Sequence, residues 1–158
     1  MEEIAAAAGV ARQTVYAHYP TRDALLAAAF AEVVAEVTAA LSALDLRTGS
    51  AAAALDRWID LSWDLIRRYP LLLHPGLAAP GDDHDDHLPI TGPLMALVER
   101  GQRVGEFDPE QSAGWLVAAT IGLGHAAAQE AAAGRMSLAE AGAAFGGSVR
   151  RLVRPVSG

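Results

Sequence analysis

From Glu2 to Val153, apolar residues recur every three or four positions, the period of helices buried along one face. Alternating Val/Ile/Thr runs that would mark half-buried strands are missing. The pattern predicts an all-α chain. Residues 2–8 read as a short helix, Gly9-Val10-Ala11 as a tight turn, and 12–19 as a second short helix closed by Pro20. Thr21 is placed to cap a long helix reaching Leu44, with a wide apolar face that includes Leu25, Phe30, Val33, Val37 and Leu41. Gly49-Ser50 breaks it. A further helix is expected over 51–68, presenting Leu55, Trp58, Ile59, Ser62 and Leu65 until Tyr69-Pro70 stops it, with one more helical turn at 71–73. Beyond a Pro-, Gly- and Asp-rich loop, "PGLAAPGDDHDDHLP", helices are expected over 91–104, over 109–133 with Asp108 as N-cap and Pro109 at the first position, and from Ser137 to Val153. Ser137 and Glu140 have the spacing of a capping box. The tight link between the last two helices predicts antiparallel neighbours.

Composition narrows the classes. A length of 158 residues has room for one compact unit, or for a large domain carrying a small one. The 52% hydrophobic content suits a packed core. No apolar run reads as the roughly 18–20 residues needed to cross a bilayer, and Glu2-Glu3 stand where a secretory signal carries positive charge, so the expected location is cytoplasmic, with no membrane partner. The absence of cysteine removes disulfides, thiolate nucleophiles and Cys-ligated zinc. All 12 basic residues are arginine, and Lys and Asn are absent, which fits GC-rich coding and carries no functional meaning. A net charge of −7 opposes indiscriminate binding to nucleic acid, because phosphate neutralisation supplies most of that affinity, so any DNA contact must be local.

The opening "MEEIAAAAGVARQTVYAHYPTRDALL" has helix-turn-helix spacing: Ala5 is small at the crossing, Gly9 tolerates positive φ in the turn, and Ile4, Ala8, Val10 and Val15 occupy internal positions. It resembles the DNA-binding signature of the TetR family of bacterial transcriptional repressors. Ile4, Ala5, Ala8, Gly9, Val10, Thr14, Tyr16, His18, Pro20, Ala24 and Leu25 fall where that pattern expects them, while Tyr19 and Arg22 stand for its usual Phe and Lys. The signature covers roughly the first 30 residues, and the rest is similar to the family only in its order of helices.

The resemblance implies a headpiece over 1–30 and a helical ligand-binding and dimerisation domain over 31–158. Arg12, Gln13 and Thr14 then open the recognition helix, with Gln13 suited to an adenine edge and Arg12 to guanine or phosphate. Tyr16 and His18 resemble the family's phosphate contacts, and Thr21 and Arg22 begin the connecting helix, where free N–H groups favour a phosphate. In the family another helix precedes the motif, and nothing in this sequence supplies it. Residues 1–30 set Arg12 and Arg22 against Glu2, Glu3 and Asp23, a net charge of −1. The expectation is a headpiece with Ile4, Val10 and Val15 partly uncovered and weak or no operator binding by the chain as it stands, restored when the chain is extended upstream.

The family's effector, a small molecule, binds among the helices behind the headpiece and releases operator DNA. Residues combining apolar bulk with sparse polar groups are Trp58, Ser62 and Trp63 in one helix, Met95 in another, and Trp115, His125 and Gln129 in the long helix. Gly114, Gly122, Gly124, Gly142, Gly146 and Gly147 recur in the last two helices, although glycine costs about 0.8–1.0 kcal/mol against alanine there, so close backbone approach is expected. That implies a homodimer through those helices, with Gly122, His125, Phe145, Val149 and Leu152 at the interface. One alternative is a dimeric ligand-binding module that has lost DNA binding. Another is a metal-binding protein built on Asp83, His84, Asp86 and His87, with His74 as a further candidate ligand, although that spacing matches no defined metal motif and its Pro/Gly-flanked loop is poorly preorganised. No nucleophile elbow, phosphate-binding Gly loop or HExxH is present, so neither enzymatic activity nor a cofactor is expected.

Overall fold

The computed structural model describes residues 1–73 and 88–155. The elements are α1 (Glu2–Ala8), α2 (Arg12–His18), α3 (Arg22–Ala43), α4 (Ala51–Arg68), a 3-10 turn (Pro70–Leu73), α5 (Leu88–Arg103), α6 (Ala113–Ala132) and α7 (Leu138–Leu152). Among the described residues there is no strand.

Local chemistry explains most boundaries. Gly9 ends α1 in the left-handed region at φ 66°, leaving the Val10 N–H free to donate to the Ala5 carbonyl at 3.0 Å. Side-chain oxygens of Thr21, Ser50, Ser112 and Ser137 accept from backbone N–H groups in the first turns of α3, α4, α6 and α7, each cap worth about 0.5–2 kcal/mol. At α7 the capping box is complete, since Glu140 also accepts from the Ser137 N–H at 2.8 Å.

Two boundaries depart from expectation. α6 starts at Ala113 rather than Pro109, because the Asp108 carboxylate holds the Glu110 N–H and the Gln111 side chain in a turn of their own. The Asp108 N–H donates to the Val153 carbonyl, and Gln102 donates to the carbonyls of Asp108 and Gln111, tying the segment to α5 and to the end of α7. α5 begins at Leu88, before Thr91, and carries Pro93 inside it.

The core lies among α4, α5, α6, α7 and the carboxyl-terminal end of α3. Leu55, Leu94, Leu97, Leu116, Phe145 and Val149 are all nearly inaccessible to solvent. α6 and α7 pack along each other across the turn that Gly134 makes at φ 70°. The α3–α4 link is gripped from two sides. Arg57 donates to the carbonyls of Asp45 and Thr48, and Arg100 from α5 donates to those of Leu46 and Gly49, at 2.9–3.1 Å.

Towards its amino end α3 leaves this core, and along it only Val37 and Leu41 are buried. By length and composition α3 is long and apolar enough to cross a membrane, with a mean hydropathy of 1.9, contrary to the sequence-based expectation. The difference arises because its alanines and valines outweigh Glu32 and Glu36, which interrupt the apolar run without lowering the mean below that range.

Candidate nucleic-acid interface and interior ligand site

α1 and α2 approach each other closely, and no later helix comes as near to either. Ala5 is the buried residue of α1 and Val15 that of α2, one small and one β-branched. Val15 is 8% exposed and so better covered than the sequence suggested, whereas Ile4 at 39% and Val10 at 44% remain open.

Burying Val15 turns the rest of α2 outward. Arg12, Gln13, Thr14, Tyr16 and His18 are all exposed, and Thr21 and Arg22 continue that exposed surface into α3. Arg12 is already engaged: its guanidinium pairs with Glu2 and lies over the Tyr16 ring, 5.2 Å from the centroid. Tyr16 and then Glu2 favour its charged form. Thr21 accepts the Ala24 N–H at 3.1 Å, so its hydroxyl proton points elsewhere. The set can form a shallow polar surface on one short helix, of a width suited to a major groove.

The expected ligand residues divide. Trp58, Ser62 and Trp63 are buried on α4, and Met95 on α5 is half-buried against the same core. Trp63 faces α7, with its ring 6.1 Å from that of Phe145. Trp58 and Ser62 stand one turn apart, and neither the indole N–H nor the hydroxyl has a hydrogen-bond partner among the described residues. Trp115, His125 and Gln129 are instead exposed on the outer side of α6, with Trp115 at 59%. They do not join the α4 residues around one interior space.

The interface residues divide as well. Gly122 and His125 share the outer side of α6 with Trp115, and Leu152 is half-buried. Phe145 and Val149 lie inside the protomer at 2% and 0% exposure, so their side chains cannot meet a partner as expected. α7 is apolar on the face that packs against its own chain. Two of its three glycines serve the same contact: a Cβ on Gly142 would sit 2.5 Å from the Trp63 indole nitrogen, and one on Gly146 3.2 Å from Ile59. Gly122 faces open space. His74, Asp83, His84, Asp86 and His87 lie outside the described residues. Sequence reasoning missed Glu2 as the partner of Arg12 and Arg100 as the clamp on the α3–α4 link, because both pairings depend on the tertiary path.

Two short helices crossed at a small residue over a glycine turn, the second polar on its outer side and followed by a long connecting helix, define a helix-turn-helix protein. Residues 1–29 match the family described as bacterial regulatory proteins, tetR family. Over 120 residues, 72% of this chain and 59% of the relative, the sequence is 36% identical to the HTH-type transcriptional repressor LfrR of Mycolicibacterium smegmatis. Both matches support a TetR-family regulator. The chain spans 59% of the length of that relative. No solved structure matches it.

Proposed function

We propose that this protein is a ligand-responsive transcriptional repressor that works in the cytoplasm as a homodimer. The headpiece, residues 1–30, binds operator DNA with α2 in the major groove, and the domain over 31–158 holds a small-molecule effector and the partner subunit. The observation that carries this reading is the outward display of Arg12, Gln13, Thr14, Tyr16 and His18 on α2 while Val15 anchors the helix from behind.

Gln13 offers paired donor and acceptor to an adenine edge, and Arg12, once it leaves Glu2, offers a fork to guanine or phosphate. Tyr16, His18, Thr21 and Arg22 hold the flanking phosphates and set the register. The dimer contact is assigned to the outer side of α6, where Trp115, Gly122 and His125 lie, with Leu152 at its margin. The effector is assigned to the inner face of α4, where Trp58 and Ser62 are buried with unpaired polar atoms and Met95 of α5 packs against the same core. Effector binding would shift α5 and, through the Arg100 clamp, the end of α3, changing the spacing of the two α2 helices.

Footprinting on the intergenic DNA beside the gene, followed by anisotropy titration of the protected duplex in a salt series, tests the reading. The expected result is one protected palindromic site with half-sites about 34–36 Å apart. Equal binding to every duplex refutes it, and a folded dimer that leaves DNA unbound even when the chain is extended upstream would favour the ligand-binding module.

A further inference from the structure

Three of the chain's 12 arginines, Arg150, Arg151 and Arg154, gather at the carboxyl end of α7 and line one cavity of about 490 Å³. Its other walls come from the first turns of α4 and from the α5–α6 link, so three separate parts of the fold enclose it. The cavity lies at the start of α4 and the end of α5, roughly 20–25 Å along those helices from the ends that lead to residues 74–87.

Two carboxylates share the wall, and both are held by the protein itself. Asp56 accepts from Arg150 Nε at 2.7 Å. Glu106 accepts the Ala52 N–H at 2.9 Å, and the N–H groups of Ala52 and Ala51 hold its carboxyl below the usual range. With the Ser50 hydroxyl on the Ala53 N–H, the amino end of α4 is filled. Three guanidiniums against two carboxylates leave the lining with one positive charge in excess.

Arg151 and Arg154 supply that excess. Arg151 Nη2 donates to the Ser148 hydroxyl at 3.2 Å, which uses one of five donors. The Arg154 N–H donates to the Arg151 carbonyl at 3.3 Å, which fixes the two backbones one turn apart. Like charges at such spacing repel, and the helix dipole offsets part of that cost. A Cβ on Gly147 would lie 3.5 Å from Arg151 Nη1, so glycine leaves the space beside that guanidinium open. Guanidinium forks match the paired oxygens of carboxylates and phosphates, and a concave wall focuses their field.

We infer that this cavity binds a small organic oxyanion, a carboxylate or a phosphate ester, with Arg151 and Arg154 on its oxygens and Ala52 and Leu55 beside its apolar part. The site is separate from the DNA-facing surface of α2 and from the effector position on the inner face of α4, and it depends on neither. Benzoate, phenyl phosphate and benzyl alcohol each carry one ring, and the last has no charge. Each would be titrated into the full chain while proton–nitrogen correlation NMR follows the arginine Nε–H signals, assigned by the substitutions below.

Benzoate or phenyl phosphate should shift the Arg151 and Arg154 signals to saturation, and benzyl alcohol should not. Tighter binding of benzoate marks a carboxylate ligand and of phenyl phosphate a phosphate ester, and either supports the site. Arg151→Gln and Arg154→Gln, both at exposed side chains, should each weaken the anion by roughly three- to tenfold. Arg154→Lys, which keeps the charge and loses the fork, should retain part of the affinity. Arg67→Gln, an exposed arginine near the other end of α4, should leave it unchanged. Shifts that never saturate, benzyl alcohol binding as tightly as the anions, or wild-type affinity in both glutamine variants of α7's end would overturn the inference. An equal loss in Arg67→Gln would do the same, since it would mark general charge attraction. None of these outcomes bears on base reading by α2.

Discussion

Gly101 sits within α5, where alanine would ordinarily be the better residue by about 0.8–1.0 kcal/mol. The structure gives the reason for glycine. A Cβ there would lie 2.1, 2.5 and 2.6 Å from ring atoms of Phe107, and that ring is only 1% exposed. Ordinary carbon contacts lie at about 3.5–4.0 Å, so the ring would have to move by well over an ångström. It has little room to do so, because the Gly101 carbonyl also accepts the N–H groups of Glu106 and Phe107, at 2.9 and 3.1 Å, fixing the backbone that carries the ring. Overpacking of this kind costs about 1–3 kcal/mol, at the upper end here, and the helix-propensity gain offsets part of it. Gly101→Ala should therefore lose about 2 kcal/mol, lowering Tm by about 4–8 °C for a chain of this size. Thermal unfolding followed by circular dichroism at one fixed protomer concentration reads the change. Phe107→Leu in the same background should recover part of the loss, since a smaller side chain gives the new methyl room. A Gly101→Ala protein as stable as wild type, or more so, would show that the Gly101–Phe107 packing is not as described.

Other outcomes follow from the same geometry. Glu106 accepts the Ala52 N–H, and the backbone N–H groups of Ala52 and Ala51 hold its carboxyl below the usual range; Glu140 is lowered by the Ser137 N–H and hydroxyl, and Glu130 by Arg135. Groups depressed in the folded state stabilise it above their unfolded values, about 4.3 for Glu, and lose that contribution as pH falls through the folded values. Tm should thus be level above about pH 5 and fall below about pH 4, less steeply in Glu140→Gln; a Tm that rises on acidification would contradict this. Glu2→Gln should tighten operator binding by freeing Arg12, and weaker or unchanged binding in anisotropy would show that the pair does not compete with DNA. Gly122→Ala should weaken the dimer in sedimentation equilibrium by holding two α6 helices apart; an unchanged dimer would place the interface elsewhere.

The sequence disclosed the elements better than their partners. The ends of α1, α4 and α7 were readable because Gly9, Ser50 and the Ser137–Glu140 box act within a few residues of where they stand. The start of α6 was not, because Asp108 is occupied by a turn anchored to Val153, a contact no local pattern contains. The seven residues expected to face DNA are each exposed, as is every residue of α2 but Val15. Pocket and interface residues were harder to separate. Periodicity shows that Phe145, Val149 and Trp115 are apolar, but only the packing shows that the first two face their own core and the third faces outward. Gly142 and Gly146 of α7 illustrate the same limit: close approach was expected, and at both the neighbour across the contact is α4 of the same chain.

The central claim is that α2 reads bases, and Gln13 tests it most directly. Wild type and Gln13→Ala would be titrated by anisotropy against the footprinted operator and a panel carrying every single-base change. Wild type should lose about 1–3 kcal/mol at one A·T pair in each half-site, and Gln13→Ala should become indifferent at that pair alone while keeping its other preferences. An identical base profile in the two proteins, or uniform weakening on every duplex, would contradict base reading by α2.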